Sequence, residues 1–156
     1  FELLGRVIPF VGISLSTYSP FTGAPRSIAA QYPQRIVFYL DDGYLRHDRA
    51  YRGMVRAKKR HFNWSTAGFD YAISPSARDW FRPAGYSGGS TSMLFTRTGR
   101  YAANLHISTE SGVLPDSRML NLIQLVAPIM AAAVDDLVRA TILSPRDCRR
   151  RTWRRC

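Results

Sequence analysis

The sequence predicts an α/β (α+β) fold, an antiparallel sheet sandwiched between helices. Three observations predict it. Residues 11–17 (VGISLST) and 89–108 (GSTSMLFTRTGRYAANLHIS) alternate apolar and polar side chains with the period of a strand. A long run from 117 to about 140 is apolar around most of a helical circumference. The order of elements, two strands, two helices, a short strand, a short helix, a hairpin and a long helix, places helices on both sides of one sheet.

Each element has its own warrant. In 11–17, Val11, Ile13 and Leu15 point one way and Gly12, Ser14 and Ser16 the other, which is a half-buried strand. SPFTGAPR breaks the chain with turn residues, and SIAAQ (27–31) pairs back as a short second strand. From 32 to about 43, Ile36, Tyr39 and Leu40 share one helical face; Pro33 suits a first turn and Gly43 an end. A second helix runs from Asp48, a good N-cap, to Lys59, with Tyr51, Met54 and Val55 as its apolar stripe. HFNW (61–64) reads as a short extended segment, and a short helix starts near Ser74–Pro75 with Gly85 just past its end. Thr98 and Gly99 turn the hairpin, sending Tyr101, Ala103, Leu105 and Ile107 to one face and Ala102, Asn104, His106 and Ser108 to the other. Asp116 or Ser117 caps the last helix, whose Pro128 predicts a kink. A helix so widely apolar needs two partner surfaces, the sheet and a second subunit.

A chain of 156 residues suffices for one domain, and no interior linker or repeat divides it. No run of 18 apolar residues and no signal-peptide pattern is present, so the expectation is a cytoplasmic protein with no membrane partner. The net charge of +11 is uneven: residues 146–156 carry +5 of it, which weakens the usual inference from a basic chain to nucleic acid. Both cysteines, Cys148 and Cys156, lie in that tail, leaving the body without a disulfide framework. The arginines at 46, 49, 52, 56 and 60 fall at helical spacing and read as one solvated face rather than a phosphate-binding stripe, since no aromatic residues interleave to stack bases.

Catalytic and metal chemistry find little footing. SGGS (87–90) lacks the lysine and the strand–loop–helix setting of a phosphate loop. No nucleophile turn appears, and Asp41–Asp42 and Asp135–Asp136 point apart as helix neighbours. His47, His61 and His106 have no ligand-like spacing. The expectation is therefore a non-enzyme with no cofactor and no metal. Trp80, Phe81 and Tyr86 cluster in the short helix and its exit, where they roof a pocket or form a satellite core. His106, with Asn104, lies on a polar strand face that lines a cavity or meets solvent or a helix.

Three stretches carry a resemblance. LVAPIM (125–130), a helix and LSPRD (143–147) resemble the junction between sensor and DNA-binding domains in LuxR-type transcriptional regulators, with Asp147 where Glu is usual. YPQRIVFYLDDGYLRHDRAYRGMVRAKKRHFNWS (32–65) resembles the ligand-binding part of the autoinducer-type sensors of that family. ARDWFRPAGYSGGSTSMLF with GRYAANLHIS resembles the later half of the GAF-like, PAS-like fold of many such regulators. The resemblance implies a GAF-like sensor domain over 1–140, followed by a remnant, 141–156, of a linker and a helix-turn-helix truncated just inside its start. It implies a small-molecule effector held by Tyr39, Asp48 and Trp64, a homodimer formed through the long helix, and DNA contact only through the missing helix-turn-helix. Asp48 and the two aromatics have plainer readings as a helix cap and as core. Arg35 and Arg49 stand where autoinducer sensors usually carry Trp and Pro, which argues against an acyl-homoserine-lactone ligand. The competing reading is a GAF-like interaction module that binds no small molecule. Either way the architecture predicts a covered sheet, and the sensing reading predicts room for a guest beneath its helices.

Overall fold

Hairpin alternation organises the molecule. The computed structural model describes residues 1–19, 22, 24–110 and 117–143. Strands β4 (Gly88–Phe95) and β5 (Tyr101–Thr109) pair in register from Gly88 with Thr109 to Leu94 with Ala103. Gly99 turns them at φ 80°, a left-handed conformation that other residues adopt only at a cost. Strand β1 (Gly12–Tyr18) pairs with the free edge of β5, and β2 (Pro25–Gln31) pairs back on β1. Short β3 (His61–Asn63) closes the other edge against β4. The result is a five-stranded antiparallel sheet in the order β2-β1-β5-β4-β3, which is the predicted architecture.

The two faces of the sheet are chemically different. Ile13, Leu94, Leu105 and Ile107 form one face and pack against Met119, Ile123, Ala131 and Val134 of the long helix α5 (Ser117–Leu143). Ser14, Ser16, Thr91, Asn104, His106 and Ser108 form the other, by the two-residue period of the strands. That polar face is buried under a second layer. It consists of α2 (Gln34–Tyr39), α3 (Leu45–His47), α4 (Arg49–Arg56) and the segment 64–84, whose aromatic residues make a separate core. β1 is therefore covered on both faces, where its sequence suggested one. A short α1 (Glu2–Gly5) precedes it.

Several helix boundaries depart from the sequence reading. The helix expected over 32–43 has Pro33 as its N-cap and does not stop at Gly43; it passes into a π turn, Leu40–Tyr44, and on to α3. Asp48 breaks the path with extended backbone (ψ 122°) and caps α4. α4 ends at Arg56, three residues early, because Lys58 takes a left-handed conformation (φ 54°) while its N–H and that of Lys59 bond the carbonyls of Val55 and Met54. The arginine stripe is consequently not one helix face: Arg46 lies on α3, and Arg60 lies beyond α4 with its guanidinium over the Phe95 ring. Val55, assigned to the apolar stripe of α4, is exposed. The short helix after Ser74 is a second π turn, Ala77–Phe81, leading to Gly85 as predicted.

α5 carries Pro128 inside it and, among the described residues, Arg118–Thr141 is long and apolar enough to cross a membrane by length and composition, although no unbroken apolar run reaches that length. It lies along the sheet, with Leu125, Ile129 and Leu137 exposed on its outer side. The expected cap at Asp116 and the basic tail lie outside the described residues, as does most of the remnant expected over 141–156.

Candidate functional site

The polar sheet face meets the helical layer through tyrosines. Tyr32 donates to Ser108 Oγ at 2.9 Å, Tyr44 and Thr91 share a hydrogen bond of 2.7 Å, and Tyr51 lies 3.2 Å from the Asn104 amide nitrogen, which donates to it. His106 joins the strands: its Nδ1 is 3.2 Å from Thr91 Oγ1 and its Nε2 3.2 Å from Ser16 Oγ. Burial holds the His106 imidazole down to about 3, so the ring is neutral and one of its nitrogens donates while the other accepts. Tyr44 stands edge-on to that ring at 5.0 Å, its hydroxyl pushed well above the ordinary tyrosine range by burial. Ser14 Oγ, on the same sheet face, is buried with no hydrogen-bond partner among the described residues.

Asp48 ties the helical layer together. Its Oδ1 accepts from the Tyr51 N–H at 2.7 Å, the N-cap bond that opens α4. Its Oδ2 accepts from Tyr71 at 2.6 Å and from Ser76 at 2.5 Å. Since Ser76 spends its only hydrogen on Asp48, Tyr39 is the donor in the 2.6 Å bond between Tyr39 and Ser76. A relay thus runs from Tyr39 through Ser76 and Asp48 to Tyr71. Burial pushes the Tyr39 hydroxyl up to about 12, and burial followed by the neighbouring Asp48 charge pushes Tyr71 well above the ordinary tyrosine range. Both phenols stay protonated donors at any physiological pH.

Two cavities flank this relay. Between sheet and helices lies a slot lined by Tyr44, Trp64, Tyr71, Phe81, Thr91 and His106 among others. Its volume is about 10 Å³, room for one water at most. The roomy internal cavity expected beneath the helices is therefore closed in this structure, because the tyrosines reach the sheet and fill it. Outside the helical layer lies a cleft of about 720 Å³ between α2, α4 and the segment 69–80, with Tyr39, Ser76 and Trp80 in its wall. Both π turns border it. An inserted residue in a helical turn re-aims the side chains on either side, and such turns recur at functional sites.

The residues singled out from sequence divide among these places. Trp64, Phe81 and His106 line the slot; Tyr39 and Trp80 line the cleft, their rings stacked at 4.5 Å and 8°. Asp48 lines neither cavity but bridges them, bonding Ser76 of the cleft wall and Tyr71 of the slot wall. Tyr86 lines neither and packs edge-on to Tyr32. Trp64 sits close to β4 because Gly89 has no side chain; a Cβ there would lie 2.9 Å from both the indole nitrogen and the Ile107 carbonyl oxygen. Sequence reasoning missed Tyr44, Tyr71, Ser76 and Thr91. Thr91 was within reach, since hairpin pairing sets it opposite His106. Ser76 and Tyr71 lie in irregular turns that no periodicity marks. Among the described residues no group of three or more His, Cys, Asp or Glu is placed to hold a metal ion.

The architecture is that of a GAF-like domain. The chain is similar to the VqsR LBD domain from Pseudomonas aeruginosa (16% identity, TM-score 0.59, covering 86% of this chain and 80% of that one). It is similar also to a GAF domain/HD domain protein from Geobacter sulfurreducens (12%, 0.63, 88% and 88%). The GAF domain of a two-component sensor histidine kinase from Bacillus halodurans matches at 10%, 0.61, 87% and 88%. At these identities the likeness is one of fold. No protein-family model and no curated protein sequence matches the chain.

Proposed function

We propose that residues 1–140 form the ligand-sensing and dimerisation domain of a LuxR-type bacterial transcriptional regulator, acting in the cytoplasm on an unidentified small-molecule effector. DNA contact is assigned to a helix-turn-helix unit outside these 156 residues. The domain performs no catalysis and uses no cofactor. One observation carries the reading: the sheet face under the helices is polar and buried, and three tyrosines of the helical layer bond to it. An apolar interface resists opening. These side-chain bonds can be exchanged for bonds to a guest, since each contributes only about 0.5–1.5 kcal/mol net. A guest entering between Trp64, Phe81 and His106 displaces these tyrosine contacts and moves the helical layer relative to the sheet. The alternating residues of β5 carry that change to α5, because Asn104 and His106 face the guest while Leu105 and Ile107 face α5. The similarity to the VqsR LBD domain supports the same reading.

The closed slot favours a second reading, a GAF-like interaction module that binds no small molecule. Native mass spectrometry of the purified chain separates the two. Sensing predicts one co-purified small molecule per chain, released on unfolding. It also predicts that this compound, added back at about 100 times its Kd, stabilises the fold by about 2.7 kcal/mol. A bare chain mass, with no melting shift across a metabolite library, favours the interaction module.

A further inference from the structure

The outer cleft is not explained by sensing in the slot, and its chemistry is different. Its walls combine two aromatic residues, Phe69 and Trp80, with two arginines, Arg49 and Arg52, and the Arg35 guanidinium lies over the Trp80 ring at 5.2 Å. Arg49 lies over the Phe69 ring, 5.1 Å from its centre. Neither Arg49 nor Arg52 has a hydrogen-bond or ion-pair partner among the described residues. The one exposed acid in the wall, Asp42, faces Arg46 at 4.0 Å, and the Asp48 carboxylate behind the wall is already occupied by three donors. His47 and the protonated Tyr39 phenol are the other titratable rings in the wall. The free charge facing the cleft is therefore positive. A volume of about 720 Å³ lies in the range of small-molecule sites, roughly 300–1,000 Å³.

We infer that this cleft is a second binding site, distinct from the slot, for an organic anion with a flat aromatic body. The carboxylate is held by Arg49 and Arg52, and the ring lies against Trp80 and Phe69. A guanidinium fork matches a carboxylate with two parallel N–H donors, and since Tyr39 and Arg35 cover the Trp80 ring and Arg49 covers Phe69, the guest ring meets these aromatics edge-on. Occupancy bears on the slot through the relay, because Tyr39 and Ser76 line the cleft and Ser76 shares the Asp48 oxygen with Tyr71 of the slot wall. This inference stands whether or not the slot admits a guest.

Calorimetric titration of the full chain tests it, with 2-naphthoate and its uncharged counterpart 2-naphthalenemethanol as probes. The expected result is saturable binding of 2-naphthoate at one site, at least tenfold tighter than the alcohol. The double variant R49Q/R52Q, whose side chains are exposed so that the fold is retained, abolishes that preference. W80A weakens both probes. Absence of binding, equal affinity for the two probes, or an unchanged naphthoate preference in R49Q/R52Q would each overturn the proposal. Titrating W64A separates the sites: loss of naphthoate binding there, with W80A unaffected, assigns the anion to the slot instead and also overturns it.

Discussion

His106 shows what a buried polar residue does to a fold that holds it neutral. The imidazole sits between Ser16 and Thr91, and burial holds its pKa at about 3 against an ordinary 6.5. The folded chain therefore refuses a proton that the unfolded chain takes up below pH 6.5. Stability is fully present above that pH and falls as pH drops toward 3, with a slope of up to about 1.4 kcal/mol per pH unit. His61, held down to about 4 by burial, adds in the same direction. Urea unfolding at pH 7 and pH 5 should show a lower midpoint at pH 5, and H106Q, which keeps hydrogen-bonding capacity, should reduce that drop. An equal drop in H106Q would place the acid sensitivity elsewhere. Alternation placed His106 on the polar face of its strand, but only the tertiary structure shows that this face is buried. For Asp48, sequence gave the N-cap; its bonds to Tyr71 and Ser76 join residues 23 and 28 positions away, beyond any local pattern.

At the scale of elements, strands were more legible than helices, for a physical reason. A strand reports its two faces every second residue, and the hairpin turn needs a glycine that the sequence displays at 99. The helices of the covering layer are short and bent by two π turns, so neither a steady 3.6-residue period nor a stop signal marks them. α4 is the clearest case. It ends in a Schellman motif, whose left-handed position usually holds glycine, and here holds Lys58. With no glycine to mark its end, the sequence pattern runs on to Lys59. The same mismatch makes K58G stabilising, by about 1 kcal/mol from relief of the left-handed backbone, partly offset by the entropy of the unfolded chain. A rise of about 2–4 °C in Tm is expected. An unchanged or lower Tm would mean that Lys58 costs the fold nothing where it stands.

At the scale of the molecule, the sheet separates a polar side under the tyrosine layer from an apolar side packed by α5, and α5 has apolar surface left over. Leu125 is 74% and Ile129 70% exposed, on the side away from the sheet. Their residue types already asked for a second surface in the sequence, and coverage of α5 by the sheet satisfies only one of its faces. Asp135 of α5 pairs with Arg100 of the hairpin turn, and Met119, Ile123, Ala131 and Val134 pack on the sheet, so α5 is in contact with β4 and β5 along much of its length. A dimer built on this face therefore couples its packing to the sheet, which is what a sensor passing occupancy to a partner requires. Burying both side chains between two copies contributes about 1.5–3 kcal/mol for each. Analytical ultracentrifugation should find a dimer whose dissociation constant rises at least a hundredfold in L125R/I129R, each charge facing its mate across an isologous interface. The Tm of the dissociated variant should stay close to that of the parent at matched low concentration, since neither side chain belongs to the core. A parent chain that sediments as a monomer at tens of micromolar would remove α5 as the dimer surface. It would also leave Leu125 and Ile129 as apolar groups that some other partner must cover.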